Sequence, residues 1–258
     1  MNIEELIPPE SLPVRSLCLR CPVESIELEK VMLASVDEVA TFVVEKRRDE
    51  HLSGRWLLGQ ALVQWGLDAT QIEVRRTDLR APVLAYLPGI WVNTPLPSIS
   101  IGHSGDWAYV ALIESGWSIG IDAEPAERGI ATNAFDMMAS GSELTWLIEH
   151  PERAIELWTS KEAVQKAVQK GMHLNPRKIE IPIGAGISII SIENSKIQLQ
   201  NWLFGGSRIA LAWHNQSIQL RTSEDDLLDA TRKAMQEQEW GVGCNTKPDQ
   251  DHKREAAH

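Results

Sequence analysis

The sequence runs twice from a helix-patterned stretch into a series of short apolar strands, and that order confines the chain to an α+β architecture. The first helical signal opens at Ser35, a candidate N-cap. Asp37 and Glu38 follow in the first turn, where the helix dipole favours acids, and Val39, Phe42 and Val43 give an apolar stripe. A longer helix is expected from about residue 49 to 65, with Trp56, Leu57, Ala61, Leu62 and Trp65 on one side. Strand patterns follow at 71–75, 98–101, 107–113 and 117–122. Short β-like stretches at 17–19 and 25–28 precede all of these.

The second round begins at Ser140, three residues before Glu143, the spacing of a capping box. Pro151 then opens a helix expected to reach about Lys170 and to end at Gly171. Strands are expected at 178–183, 187–192, 197–204, 208–213 and 217–220. Residues 223–240 read as a polar helix, and 241–258 as disordered by composition. The division expected is 1–114, 115–222 and a tail at 223–258.

Charge narrows the function. A formal net charge of −11 argues against general binding to nucleic acid or to anionic membranes. No apolar run reaches the ~20 residues of a membrane helix. The first ten residues carry three acids and no basic residue, unlike a secretory signal, so the cytoplasm is the expected location. Cys18 and Cys21 have C-x-x-C spacing, but no second ligand pair follows, and they read as two reduced thiols.

Four groups of residues bear chemistry. Asp122 and Glu124 lie two apart at the end of an apolar strand, so both project to one side. They are either solvated acids or part of a hard-cation site, since Mg²⁺ takes one or two protein carboxylates and completes its shell with phosphate and water. Glu162 and Lys166 lie four apart on the later helix and share a face, as a surface pair or as part of a site. His103 and Ser104 sit where a strand turns, a common place for ligand contacts. Lys46, Arg47, Arg48 and Arg55 form a basic group, in which Arg48 and Arg55 lie two helical turns apart. Arginine suits phosphate through its planar fork.

In order and combination these residues resemble the two-domain, surfactin/enterobactin-type 4′-phosphopantetheinyl transferases. The family's Gly, Ile or Val, Asp, any residue, Glu motif corresponds to Gly120, Ile121, Asp122, Ala123 and Glu124. Its later aromatic-to-Lys-Glu-to-Lys motif corresponds to Trp158, Lys161, Glu162, Ala163 and Lys166. Supporting elements run from Arg47 to Arg55 and from Ser100 to Ser104. Two positions depart: Gly102 stands where the family usually has Ser, and Arg80, Ala81 and Pro82 replace Gly-Lys-Pro, leaving Arg80 or Arg76 to substitute for the lysine.

The resemblance implies two similar α/β subdomains in a pseudo-twofold arrangement, with coenzyme A as substrate between them. It implies Mg²⁺, with Mn²⁺ as a substitute, held by Asp122, Glu124 and Glu162. Arg48, Arg55, His103, Ser104 and Lys161 would contact coenzyme A. Either Glu162 or Lys166 would be the general base, with Lys166 otherwise contacting phosphate. The partner would be an acyl or peptidyl carrier protein, docked on a local basic or apolar surface for which Lys161, Lys170, Arg177 and Lys178 are candidates, and the enzyme a monomer. The other reading is a non-catalytic coenzyme A or carrier-protein binder that kept the fold.

Overall fold

In a computed structural model that describes residues 1–90, 94–182 and 187–216, two strand segments, 108–113 and 209–213, are continuously apolar and buried on both sides. The elements are β1 (Glu4–Glu5), β2 (Ser16–Pro22), α1 (Val36–Ala40), α2 (Glu45–Trp65), β3 (Ile72–Arg76), β4 (Pro82–Tyr86), β5 (Ser98–Ser104), β6 (Trp107–Ile113) and β7 (Trp117–Pro125). They continue with α3 (Phe135–Met138), α4 (Gly141–Glu149), α5 (Ala154–Ala167), β8 (Ser188–Ile192), β9 (Ser195–Phe204) and β10 (Ser207–Asn215). Two four-stranded sheets form, in the orders β1-β2-β6-β5 and β7-β10-β9-β8, and β3 pairs with β4 apart from them. Every ladder is antiparallel.

The period of two explains the layering. On β6, Ala108, Val110 and Leu112 face α2, where Leu57, Leu58, Ala61 and Leu62 cover them. The alternate residues Tyr109, Ala111 and Ile113 face the second sheet and meet Ile119, Ile121, Ile209, Leu211 and Trp213. The far side of the second sheet, with Ala210, Ala212, Ile197 and Leu199, is covered by Ala163, Val164 and Ala167 of α5. The order of layers is helix, sheet, sheet, helix. Strands covered on both faces read as unbroken apolar runs, which is the pattern of β6. A buried Leu or Ile contributes roughly 1.5–3 kcal/mol, and the three cores hold many such residues among those described.

Several boundaries differ from expectation. The long helix starts at Glu45, and Lys46, Arg47 and Arg48 occupy its first turn despite the unfavourable dipole. It ends at Gly66, whose φ of 90° allows its N–H to reach Leu62 O and Val63 O. Ser35 does cap α1, accepting from Glu38 N at 3.4 Å, but α1 stops at Ala40 before Phe42 and Val43. Residues 25–28 form no strand and lead into a 3₁₀ turn at Leu28–Lys30. β4 has no counterpart in the expected elements. Pro151 opens a 3₁₀ turn, Pro151–Arg153, that hands over to α5.

The capping box at Ser140 does not form. Ser140 is the N-cap of α4, but its hydroxyl donates to Arg177 O at 3.3 Å, and Glu143 is taken up by Lys161. Nor is 178–182 a strand. Its backbone is met partly by a 3₁₀ turn, with Lys178 N donating to Asn175 O and Ile179 N to Pro176 O, and partly by side chains: Ile179 O accepts from Lys161 Nζ at 2.6 Å, and Ile181 N donates to Glu143 Oε1 at 3.1 Å. The expected strand at 217–220, the helix at 223–240, the tail at 241–258 and Cys244 lie outside the described residues. Among the described residues no helix is long and apolar enough to cross a membrane.

α5 lies directly on β7 where Gly120 leaves no side chain. A Cβ at Gly120 would come 2.0 Å from Ala163 O and 2.4 Å from Ala167 N, both backbone atoms that cannot yield. Gly120→Ala should therefore destabilise the protein by about 3 kcal/mol or more, read as a lower urea midpoint. Wild-type stability in that variant would show that α5 does not rest here.

Candidate active site

Gly120, Asp122 and Glu124 share the α5-facing side of β7, because Ile121 and Ala123 between them face the other sheet. The close seat at Gly120 brings the side chains of α5 against the strand end. Lys166 Nζ donates to Asp122 Oδ1 at 2.7 Å and to Ile121 O at 3.0 Å. Glu162, one turn earlier, lies within hydrogen-bonding reach of Asp122 when one of the two is protonated. β5 supplies the third side. Ser104 Oγ donates to Glu124 Oε2 at 3.0 Å, and Arg128 holds the other oxygen at 2.7 Å. Gly102 on β5 leaves room for the ammonium, since a Cβ there would stand 3.2 Å from Lys166 Nζ.

Burial and like charge set the protonation. Asp122 is 5% exposed, and burial raises its pKa while the Lys166 ammonium opposes the rise. Glu162 is pushed up to about 7, first by burial and then by the charge of Asp122. Lys166 loses hydration as well, but Asp122, Glu162 and Glu124 outweigh that and hold its pKa above the usual lysine value. The Lys166 ammonium lies against Asp122, and Glu162 beside them is held close to neutral titration. His103 is half-exposed, with Nδ1 3.4 Å from Glu50 Oε2, and burial lowers its pKa.

Asp122 Oδ2 is buried without a hydrogen-bond partner. A buried carboxylate oxygen left unpaired costs free energy, and an added cation or donor would satisfy it. Among the described residues no group of three His, Cys, Asp or Glu side chains is gathered closely enough to hold a metal as it stands. The donors nonetheless suit a hard divalent ion: all are carboxylate oxygens, one of them orphaned, at the end of one strand and one helix. Asp122, Glu124 and Glu162 are the residues that would hold it.

A second polar cluster sits on α1 and α2. Glu38 Oε2 accepts from Arg55 Nη2 at 3.3 Å, and Glu38 Oε1 accepts from Arg76. His51 Nε2 is 3.7 Å from Glu38, and burial together with Arg55 brings its pKa down to about 4. Arg55 is 4% exposed, and its Nη1 is buried without a partner. Arg48 does not join this cluster and lies 3.9 Å from Asp49. Arg80 lines a cavity of about 180 Å³ beside Lys166, with Ala81, Pro82, Ser100 and Ile101. That places Arg80, Ala81 and Pro82 in the same cavity wall as Lys166.

Lys161 is not at the site or on the surface. It is 0% exposed, and its ammonium donates to Glu143, Pro176 O and Ile179 O. The two cysteines are also settled. Cys18 and Cys21 belong to opposite faces of β2 and to different cores. Burial pushes both thiols up to about 12, so neither is a reactive thiolate at neutral pH. Lone-residue patterning gave no sign of Glu38 and His51 as site neighbours, because their partners lie on other elements; Arg128 pairs locally with Glu124, four residues earlier.

Residues 118–222 match the family model described as the 4'-phosphopantetheinyl transferase superfamily. The matched segment contains β7 and α5, and so Asp122, Glu124, Glu162 and Lys166. Arg48, Arg55, His103 and Ser104 lie before it. A comparison with curated proteins finds no match.

The raised pKa of Glu162 has a measurable consequence. In the folded protein it binds its proton more tightly than in the unfolded chain. Its contribution to stability is therefore fully present below about pH 4.5 and lost as the pH rises through about 7. With divalent ions chelated, wild type should lose stability relative to Glu162→Gln across that window in denaturant titrations at stepped pH. A difference that stays constant would place Glu162 in ordinary solvent.

Proposed function

We propose that the chain transfers the 4′-phosphopantetheine group of coenzyme A to a serine hydroxyl of an acyl or peptidyl carrier protein and releases 3′,5′-ADP. What supports the reading best is the convergence of Asp122, Glu124, Glu162 and Lys166 from one strand end and one helix face, inside the segment that matches the superfamily. In this reading the halves 1–114 and 115–222 form a pseudo-twofold pair with coenzyme A between them. Asp122, Glu124 and Glu162 hold Mg²⁺, or Mn²⁺ in its place. The ion supplies charge neutralisation at the diphosphate and the leaving group.

The chain's own residues perform the rest. Glu162 takes the serine proton as the new oxygen–phosphorus bond forms and the bond to the 3′,5′-ADP oxygen breaks. Lys166 is the weaker candidate for base, because its carboxylate neighbours keep it protonated. As a fixed cation it balances charge on the phosphoryl oxygens in the transition state. Arg55, with its free buried Nη1, Arg48, His103 and Ser104 hold the nucleotide end, and Arg80 is placed to replace the missing lysine.

The carrier approaches along an apolar groove of about 480 Å³ lined by Ile130, Met137, Met138, Trp158 and Met172. Arg128 lines the groove and also grips Glu124, which joins the groove to the acidic cluster. Arg177 and Lys178 are exposed nearby in sequence and suit an acidic partner. Two buried, unpaired cysteines suit the reducing cytoplasm.

With coenzyme A and Mg²⁺, a panel of apo-carrier domains tested by intact mass should yield at least one that gains a single phosphopantetheine. Asp122→Asn and Glu162→Gln should each slow that transfer about 100-fold or more. Binding of coenzyme A without product on every carrier would instead mark a non-catalytic binder.

A further inference from the structure

α5 has three working faces. Ala163 and Ala167 rest on Gly120 of β7. Glu162 and Lys166, about 100° round the helix, meet Asp122. The third face carries Lys161 and Gln165, again four residues apart, and both are buried. Gln165 Nε2 donates to Leu174 O at 2.6 Å. Lys161 Nζ donates to Pro176 O at 2.9 Å, to Ile179 O at 2.6 Å and to Glu143 Oε2 at 2.5 Å. Glu143 in turn accepts from Ile181 N at 3.1 Å with its other oxygen. Two side chains of α5 thus capture three backbone carbonyls of the 171–181 segment, and a carboxylate from α4 completes the set.

The Lys161 ammonium has three donors and three internal acceptors, so its hydrogen-bonding capacity is fully met. A charge this deeply buried persists only when it is paired and hydrogen-bonded. Its geometry is therefore sharply defined, unlike that of an apolar side chain, which tolerates sliding. The Gly120 seat and Val164 fix how closely α5 approaches the sheet, and the Lys161 bonds tie its far side to the 171–181 segment.

We propose that Lys161 is a positioning residue that sets the rotation of α5, and thereby the approach of Glu162 and Lys166 to Asp122. Lys161 touches neither substrate nor metal. It acts through the helix. The inference rests on the transferase reading for its kinetic consequence, but its geometric content stands apart from that reading.

The test uses the full chain carrying Lys161→Met or Glu143→Gln. In the crystal structure of Lys161→Met, Lys166 Nζ should leave Asp122 Oδ1. With coenzyme A, Mg²⁺ and an accepted carrier, its kcat should fall about 10- to 100-fold while KM for coenzyme A stays within about twofold. Glu143→Gln keeps an acceptor oxygen for Lys161 but loses the charge, and should show a smaller kcat loss in the same direction. If Lys161→Met does not fold, Glu143→Gln alone decides, by its kcat and by its Lys166–Asp122 contact. A lower melting temperature with wild-type kcat and an unmoved contact would overturn the proposal and leave Lys161 as a stabilising residue only. Should the wild-type chain transfer nothing, the transferase reading fails, and the crystallographic arm still decides the positioning role.

Discussion

The seat of α5 on β7 at Gly120 is the constraint on which the rest of the site depends. Helices usually lie on sheets with side chains between them. Here a strand glycine and two helix alanines remove that spacer, and backbone meets backbone. Without the close approach, a lysine and a glutamate on the helix would not reach carboxylates on the strand. The strand-end acids are aimed by the period of two, and the helix pair by the period of 3.6. Gly120 is the point where the two periods are brought into register.

The same approach creates an electrostatic problem. Three carboxylates, one lysine and a helix face are confined in a partly dry space. The Lys166 ammonium is set against Asp122, and burial with the charge of Asp122 pushes the Glu162 pKa up to about 7. Asp122 Oδ2 is left unpaired. On a neighbouring face of α5, Lys161 is fully satisfied, with Glu143 of α4 among its acceptors. Breaking such a pair typically costs about 3–5 kcal/mol.

Much of this was legible in the residue order. The common side of Asp122 and Glu124 follows from strand spacing, and that of Glu162 and Lys166 from helix spacing. The strands 107–113 and 208–213 were readable because both of their faces are apolar. Other features could not be read from local pattern. Lys161 looks like any lysine on a solvated helix, and only the arrival of the 171–181 carbonyls shows that it is interior. The 178–182 stretch looks like a strand because its Ile residues alternate, yet a 3₁₀ turn and side chains meet its backbone. Glu38 joins Arg55 and Arg76 from 17 and 38 residues away, a separation that one sequence does not encode visibly. Gly120 was legible as a motif letter, but its physical task appears only beside Ala163.

The account stands on β7 and α5 closing round one divalent ion that grips a diphosphate. The most direct measurement is a crystal structure of the chain soaked with Mn²⁺ and coenzyme A, with the ion located by its anomalous signal. The account predicts one peak ligated by Asp122, Glu124 and Glu162 and by the diphosphate oxygens. Coenzyme A bound with no anomalous peak among these carboxylates, or a peak elsewhere on the chain, would contradict it.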